Sequence, residues 1–342
     1  MPRRARVFIS LALTLLLIYL FLRGIDPRDA WRETRQARSG WLIVCVVGSY
    51  LHLLLRAARW RVQLAPTGVH VPYRLALSCT ALGYFLSALL PGRPGELVRP
   101  ILLGARSGVS RSFALATIVV ERVVLDPLTL LALLAVALLA SKPALQESAE
   151  SRQFLRAVWS SSGLLAAVLV LGLGAGAWAL TYRQRLLGWL RRRRRQGTRR
   201  SGLWDALERF GDGLASLSSR QVWPRVVAGS VLVWAAVAAA MWGGVQAFGG
   251  EVGYSGAVVL TALAAVGVAL PTPGGVGGFH LAVQFGLVTL YGVPMERSVP
   301  AAVVTHVLML LPAFTIGAWV AWKEGANLPS LWRGPGARRP ER

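Results

Sequence analysis

The sequence predicts an all-α polytopic membrane protein, with about six crossings and two Pro/Gly-broken re-entrant hairpins arranged as an inverted repeat. Three observations predict it. The 342 residues are 54% hydrophobic and only 15% charged, against about 25% charged in a typical soluble domain. The apolar residues are gathered into long runs, as a bilayer requires of a spanning helix, rather than scattered at core positions. Two of the runs are interrupted by Pro–Gly clusters, around Pro94-Gly95 and Pro273-Gly274, where a regular helix cannot continue. This composition excludes both an ordinary soluble enzyme and a disordered chain.

Arg3, Arg4 and Arg6 precede the apolar run Val7–Leu22. A signal peptide starts similarly, but Arg23-Gly-Ile-Asp follows in place of a small-residue cleavage site, so the run reads as an uncleaved first span. Gly24–Gly40 is polar and reads as a short surface helix. Trp41–Leu55 is the second span, closed by Arg56, Arg59 and Arg61. Tyr73–Leu90 is apolar and ends at Leu90-Pro91-Gly92-Arg93-Pro94-Gly95-Glu96. A short apolar piece, Leu97–Leu103, and a polar loop to Ser112 follow. Phe113–Ala140 is apolar for 28 residues apart from Glu121, Arg122 and Asp126. A straight helix of that length measures roughly 42 Å against a hydrocarbon core of about 30 Å, so its first third is expected at the interface or tilted.

Gly163–Tyr182 is a further span. Arg183–Arg200 then holds nine arginines, five of them consecutive at Arg191–Arg195, the strongest topology signal in the chain. Leu203–Leu217 reads as an amphipathic surface helix. Val222–Phe248 is a span with Pro224 near its start, where proline is tolerated. Gly256–Leu270 leads into Pro271-Thr272-Pro273-Gly274-Gly275-Val276-Gly277-Gly278, Phe279–Tyr291 is apolar again, and Val299–Trp322 is the last span. Trp41, Trp159, Trp223 and Trp322, near span ends, read as interface anchors.

Basic residues favour the cytoplasmic side. The rule places the arginine run and both termini inside, in a multi-pass protein of the cytoplasmic membrane; the Gly24–Gly40 loop, basic yet outside, is its exception. The chain reads as one transmembrane domain, 1–325, with inverted halves at about 7–140 and 163–322 and a basic tail, 326–342. Each half runs span, span, hairpin, span. A loose echo joins them: each hairpin turns at a Pro–Gly pair and is followed by a Gly–Val pair, Gly108-Val109 and Gly292-Val293. The alternative is eight or more plain crossings with the Pro–Gly elements as ordinary loops.

The net charge is +23 and the pI near 11.7. Such values suit nucleic acid, but here the arginines flank apolar spans and suit anionic lipid head groups, so no nucleic-acid partner is expected. Cys45 and Cys79 lie in apolar stretches and the four histidines lack metal-ligand spacing. No disulfide framework, metal or cofactor is therefore expected.

The breaks carry the candidate chemistry. Proline and glycine free backbone groups, which survive in a membrane only where protein or a water-filled cavity covers them. The helix that restarts presents free N–H groups that attract anions. In the first break Pro94 and Gly95 stand with Arg93, Glu96 and Arg99, a set suited to a phosphate. Glu121, Arg122 and Asp126 sit in an apolar run, where ionisable residues point to function. Arg122 and Asp126, four apart, can pair; Glu121 points about 100° away and needs another partner, Arg93 or Arg99. The second break offers Pro271, Pro273, Gly274, Gly275 and Gly277, with His280 just beyond and His306 in the last span. A structural turn, an interfacial ion cluster and packed histidines are the plain readings of the same residues. HExxH, GxSxG, Walker A and Asp-x-Asp patterns do not occur, so neither an enzyme nor an ATP-driven pump is expected.

Leu90-Pro91-Gly92-Arg93-Pro94-Gly95-Glu96-Leu97-Val98-Arg99, followed by Val120-Glu121-Arg122-Val123-Val124-Leu125-Asp126, resembles the "P…GE…R" then "ER…D" signature of flippase-like membrane proteins. These are similar to the transmembrane region of lysylphosphatidylglycerol synthase. Leu270-Pro271-Thr272-Pro273-Gly274-Gly275-Val276-Gly277 resembles that family's second signature, and Arg59-Trp60 also fits; the likeness spans roughly residues 7–325. It implies translocation of an anionic or phosphate-bearing lipid or lipid-linked head group, with the residues named above as the binding set. In the full-length synthase a soluble aminoacyl-transfer domain makes the lipid, and no stretch here fits that domain. Many relatives carry a glutamate where this chain has His280. Two other function classes stay open: a non-transporting membrane partner of a lipid glycosyl- or aminoacyl-transferase, and an integral-membrane lipid-modifying enzyme. Which lipid, its direction, the energy source and the oligomeric state are not determined by these residues.

Overall fold

The computed structural model describes residues 3–23, 26–90, 93–140 and 222–324, together with residues 149, 152, 153 and 156. The expected span Gly163–Tyr182, the arginine run, the surface helix Leu203–Leu217, the basic tail, Trp159 and the pair Pro91-Gly92 lie outside the described residues. The described residues fold as a helical membrane protein without strands. Among the described residues four helices are long and apolar enough to cross a membrane: Ser39–Thr67, Arg111–Ala140, Trp223–Ala247 and Met295–Lys323.

Helix α1 covers Arg3–Leu22 and α2 covers Pro27–Arg35. In α2 the Asp26 side chain accepts from the Arg28 backbone N–H at 2.8 Å and Pro27 opens the first turn, a standard start for a helix. The expected surface helix is therefore present, and Glu33 holds it to Arg297 at 3.4 Å. The long α3, Ser39–Leu64, runs through Arg56 and Arg59 without ending there. Next come α4, Tyr73–Leu89, and α5, Gly95–Ser107. Then α6, Arg111–Val120, passes through one π-helical turn, Glu121–Leu125, into α7, Asp126–Ala140.

The second half repeats this order. A long helix, α8, spans Trp223–Ala247. A broken pair follows: α9, Tyr254–Ala269, a tight turn at Pro273–Gly275, and α10, Gly278–Phe285, extended by a π turn to Leu290. A final long rod is α11, Met295–Pro312, a π turn Ala313–Gly317, and α12, Ala318–Glu324.

The two hairpins are closed by the same device. A Cβ placed on Gly95 would fall on the Gly83 carbonyl, and one on Gly83 would stand 2.5 Å from Arg99 Cγ. In the second hairpin Gly267 and Gly278 face each other so closely that a Cβ on either meets the other's carbonyl. Small residues let helix backbones approach where lipid supplies no hydrophobic drive. The equivalent helices α3 and α8 pack together in the same way. A Cβ on Gly48 would stand 2.7 Å from Ala240 N, and one on Gly243 would stand 2.6 Å from Cys45 N.

The π turn at Glu121 has a local cause. Pro127 has no N–H for the Val123 carbonyl and its ring crowds that carbonyl, so the helix widens just before it. The Asp126 N–H bonds to the Glu121 carbonyl across five residues. In a regular helix residues five apart point about 140° from each other; the widened turn brings Glu121 and Asp126 to one face.

Candidate functional site

The charged residues of the long helices converge on one buried cluster. Asp126 accepts from Arg56 at 2.8 Å, from Arg59 at 2.9 Å and from Arg122 at 3.2 Å. Oε1 of Glu121 lies 3.1 Å from Arg56, 3.2 Å from Arg59 and 3.4 Å from Arg99. The expected Arg122–Asp126 pair is present, and Arg99 is the partner that Glu121 needed. Glu96 pairs with Arg122 at 2.8 Å, at the half-buried edge of the cluster.

Neighbours hold the guanidinium groups in place. Arg99 lies over the Trp60 ring, 4.5 Å from its centroid, and Trp60 donates to Thr117 at 2.9 Å. Arg59 also donates to Ser230 of α8 at 2.8 Å, which ties the first half to the second. Arg122 donates to the Tyr84 hydroxyl at 3.1 Å. Four arginines thus face three carboxylates, leaving one positive charge in excess. Burial makes that excess significant, because a charge inside protein demands a counter-charge. The hydrogen bonds are also lopsided. Among the described residues, Arg56 Nε, Arg59 Nε, Arg99 Nε and the Trp234 indole N–H are buried without an acceptor, and Arg56 lies 5.9 Å from the Trp234 ring. Among the described residues, Oε2 of Glu121 is a buried acceptor without a donor.

Arg56 and Arg59 were expected as the basic flank that closes the second span. The structure corrects this: they are 4% and 2% exposed and belong to the cluster. The helix does not stop at Leu55, since Ala57, Trp60 and Leu64 continue its buried face. That apolar continuation, with two arginines three residues apart on it, was the available signal.

The second break forms a separate group. Gly274, Gly275 and Gly277 all have positive φ, at 60°, 75° and 85°, a region costly for residues with a Cβ. Pro273 opens the turn and Pro271 stands exposed before it. His280 lies 3.2 Å from His306, and His306 lies 3.0 Å from the Gly274 carbonyl. Phe279 stacks on His306 with centroids 4.3 Å apart. The two histidines, singled out separately by the sequence, are therefore one pair.

Arg93 departs from its expected place. It does not join Arg99 and Arg122; its guanidinium donates to the Val268 carbonyl, 2.6 Å away, in the last turn of α9. Arginine there complements the free carbonyls and negative end of a helix. Arg93 itself has φ 52°, so the turn holds it in a strained conformation. Pro94 and Gly95 form the start of α5. The two breaks also touch directly, since a Cβ on Gly274 would stand 3.1 Å from the Ala88 carbonyl. The sequence-derived residues thus occupy a charge cluster, a histidine turn and a contact between the two breaks.

Comparison with known proteins gives one family. The model described as "Lysylphosphatidylglycerol synthase TM region" matches residues 7–317. No curated protein matches the chain.

Proposed function

Since the chain belongs to the lysylphosphatidylglycerol synthase TM region family, we propose that it moves an anionic or phosphate-bearing lipid, or lipid-linked head group, between the leaflets of the cytoplasmic membrane. Family membership makes it a membrane domain related to lipid modification or flipping; translocation is our more specific reading. The observation that carries it is the excess of buried guanidinium N–H groups over acceptors around Glu121 and Asp126. A phosphate oxygen supplies the missing acceptors and the missing negative charge, and guanidinium groups suit it geometrically.

In this reading Arg99 and Arg122 hold the head group, with Arg56 and Arg59 beneath them. Glu96, Glu121 and Asp126 keep the four guanidinium groups aimed, and the half-buried Glu96–Arg122 pair is the edge at which the head group arrives. The broken pairs α4–α5 and α9–α10 are re-entrant hairpins that line the path. Their helical runs have 17, 13, 16 and, with the π turn of α10, 13 residues, all short of the roughly 20 residues of a typical span. Counted with the span that the sequence predicts at 163–182, outside the described residues, this reading gives six crossings, inverted halves and cytoplasmic termini. Broken helices at the interface of inverted repeats commonly mark a transporter's substrate site. No chemical step is assigned to the chain.

The test is leaflet exchange of head-group-labelled anionic lipids in liposomes holding the purified protein. Arg99→Ala should lower exchange at least about tenfold, the cost of one lost charged hydrogen bond of roughly 1.5–3 kcal/mol. Arg99→Lys should recover it only in part, because lysine cannot present a planar fork. Full exchange by an Arg99→Ala protein that keeps its melting temperature sinks the reading. Absence of exchange by the unmodified protein, with several lipids tried, points instead to a partner-dependent role beside a lipid-modifying transferase.

A further inference from the structure

We infer that the exposed face of α2 is a docking surface for the anionic phosphates of membrane lipids, set at the membrane boundary opposite the arginine–carboxylate cluster. The helix carries two stripes at helical spacing. Ala30, Glu33 and Thr34 form one; Arg28, Trp31, Arg32 and Arg35 form the other. Offset by two residues, the stripes lie about 200° apart. The first is half-buried, and its Glu33 meets Arg297 of α11 at 3.4 Å. The second is exposed at all four positions, with Trp31 61% exposed.

This face stays positive after its neighbours are counted. Asp26 caps the helix, Asp29 pairs with Arg32 at 3.0 Å and Glu33 pairs with Arg297, so the carboxylates of the loop are engaged. Among the described residues no carboxylate pairs with Arg28 or Arg35. The Arg35 guanidinium lies over the Trp31 ring, 5.3 Å from its centroid, and the exposed Arg23 and Arg38 flank the helix. A guanidinium can rest its plane on an indole and still turn its N–H fork to phosphate oxygens. Tryptophan itself favours the head-group layer.

The spans fix the height of this face. Ser39 and Met295 open two of the membrane-length helices and Ala247 closes a third. The Arg38 N–H bonds to the Ala247 carbonyl at 2.8 Å, and Arg297 holds Glu33, so three span ends meet at α2. Exposed apolar side chains run up to it: Leu15, Tyr19 and Leu22 of α1 and Ile43 of α3. Trp41, Trp242 and Tyr254 pack edge to face at the same end, where interface aromatics belong. From Ser39 to Arg56 a straight helix measures roughly 26 Å, so α2 and the cluster lie near opposite faces of the hydrocarbon core. Head-group phosphates are the anions at that height, which selects lipid over a soluble acidic partner. The basic loop that departs from the charge rule thereby has a reason to carry its arginines.

A bimane label on Gln36→Cys, beside the face, reads it in lipid nanodiscs; Cys45 and Cys79 are buried and stay unlabelled. The bilayer is phosphatidylcholine with a minor fraction of brominated lipid, either phosphatidylglycerol or phosphatidylcholine, carrying bromine near the head group. Brominated phosphatidylglycerol should quench the label as if enriched about fivefold over the bulk, the scale of one arginine at an anionic surface. Arg28→Gln with Arg35→Gln should remove the preference, and salt at about 1 M should weaken it. Arg61→Gln, exposed at the other end of α3, should leave it unchanged. Equal quenching by the two lipids, or a preference that survives the double variant, overturns the proposal. Quenching by neither lipid also overturns it, since the face would then lie in water, open to an acidic protein. The docking surface does not depend on translocation: absence of leaflet exchange with the quenching preference intact removes that reading and leaves the surface standing.

Discussion

Oε1 of Glu121 receives Arg56, Arg59 and Arg99, while its second oxygen has no donor among the described residues. Such a group contributes less to stability than its contacts suggest, because burying the ions costs several kcal/mol each. Removing one partner is another matter. Arg59→Ala should destabilise the protein by about 3–5 kcal/mol, since it strands part of the charge on Glu121 and Asp126. Arg61→Ala, two residues along on an exposed position, should stay within about 0.5 kcal/mol. Denaturation of the two variants in detergent measures the difference. Equal, small effects would restore the reading of these arginines as a solvated flank.

At the level of elements, the hairpins depend on glycines for close approach, not for flexibility. Gly95→Ala places a methyl group on the Gly83 carbonyl; backbone must shift, and the expected cost is at least about 1–3 kcal/mol. Gly68→Ala is the control. It has φ 71° but nothing within 4 Å of the added carbon, so only the left-handed strain of roughly 1–2 kcal/mol applies. The π turn is a second element-level device. Pro127→Ala restores an N–H for the Val123 carbonyl and lets the helix tighten, which turns Glu121 away from Asp126. Helix content by circular dichroism should be unchanged while leaflet exchange falls about tenfold, the scale of one misplaced charged contact. A variant with full exchange would mean that the widened turn is only a packing adjustment.

For the whole molecule the telling contact is between the breaks. Arg93 reaches from one hairpin to the end of α9, and Gly274 rests on Ala88. A Cβ on Gly274 would lie 3.8 Å from the Ala88 Cα, which is within reach of a disulfide. Ala88→Cys with Gly274→Cys should therefore cross-link on mild oxidation. If the hairpins part during transport, the cross-linked protein should lose at least about ten times its exchange rate and regain it on reduction. Undiminished exchange in the oxidised form would show that lipid passes without separating them.

Much of this architecture was legible in the chain. Long apolar runs identify helices because lipid leaves backbone groups no other partner, and the boundaries of α8 and α9 fall within two residues of the expected ones. The Pro–Gly clusters identified both breaks, and the pairing of Arg122 with Asp126 followed from helical spacing. The identity of their partners did not. Arg56 and Arg59 stand more than sixty residues from the carboxylates they meet, and a basic residue at the end of an apolar run looks the same whether it faces water or a buried carboxylate. His280 and His306 looked like two unrelated histidines until the turn at Gly274 brought them together. Local spacing determines which residues share a helix face. Which faces meet, and so which charges must answer one another, is decided only when the helices pack.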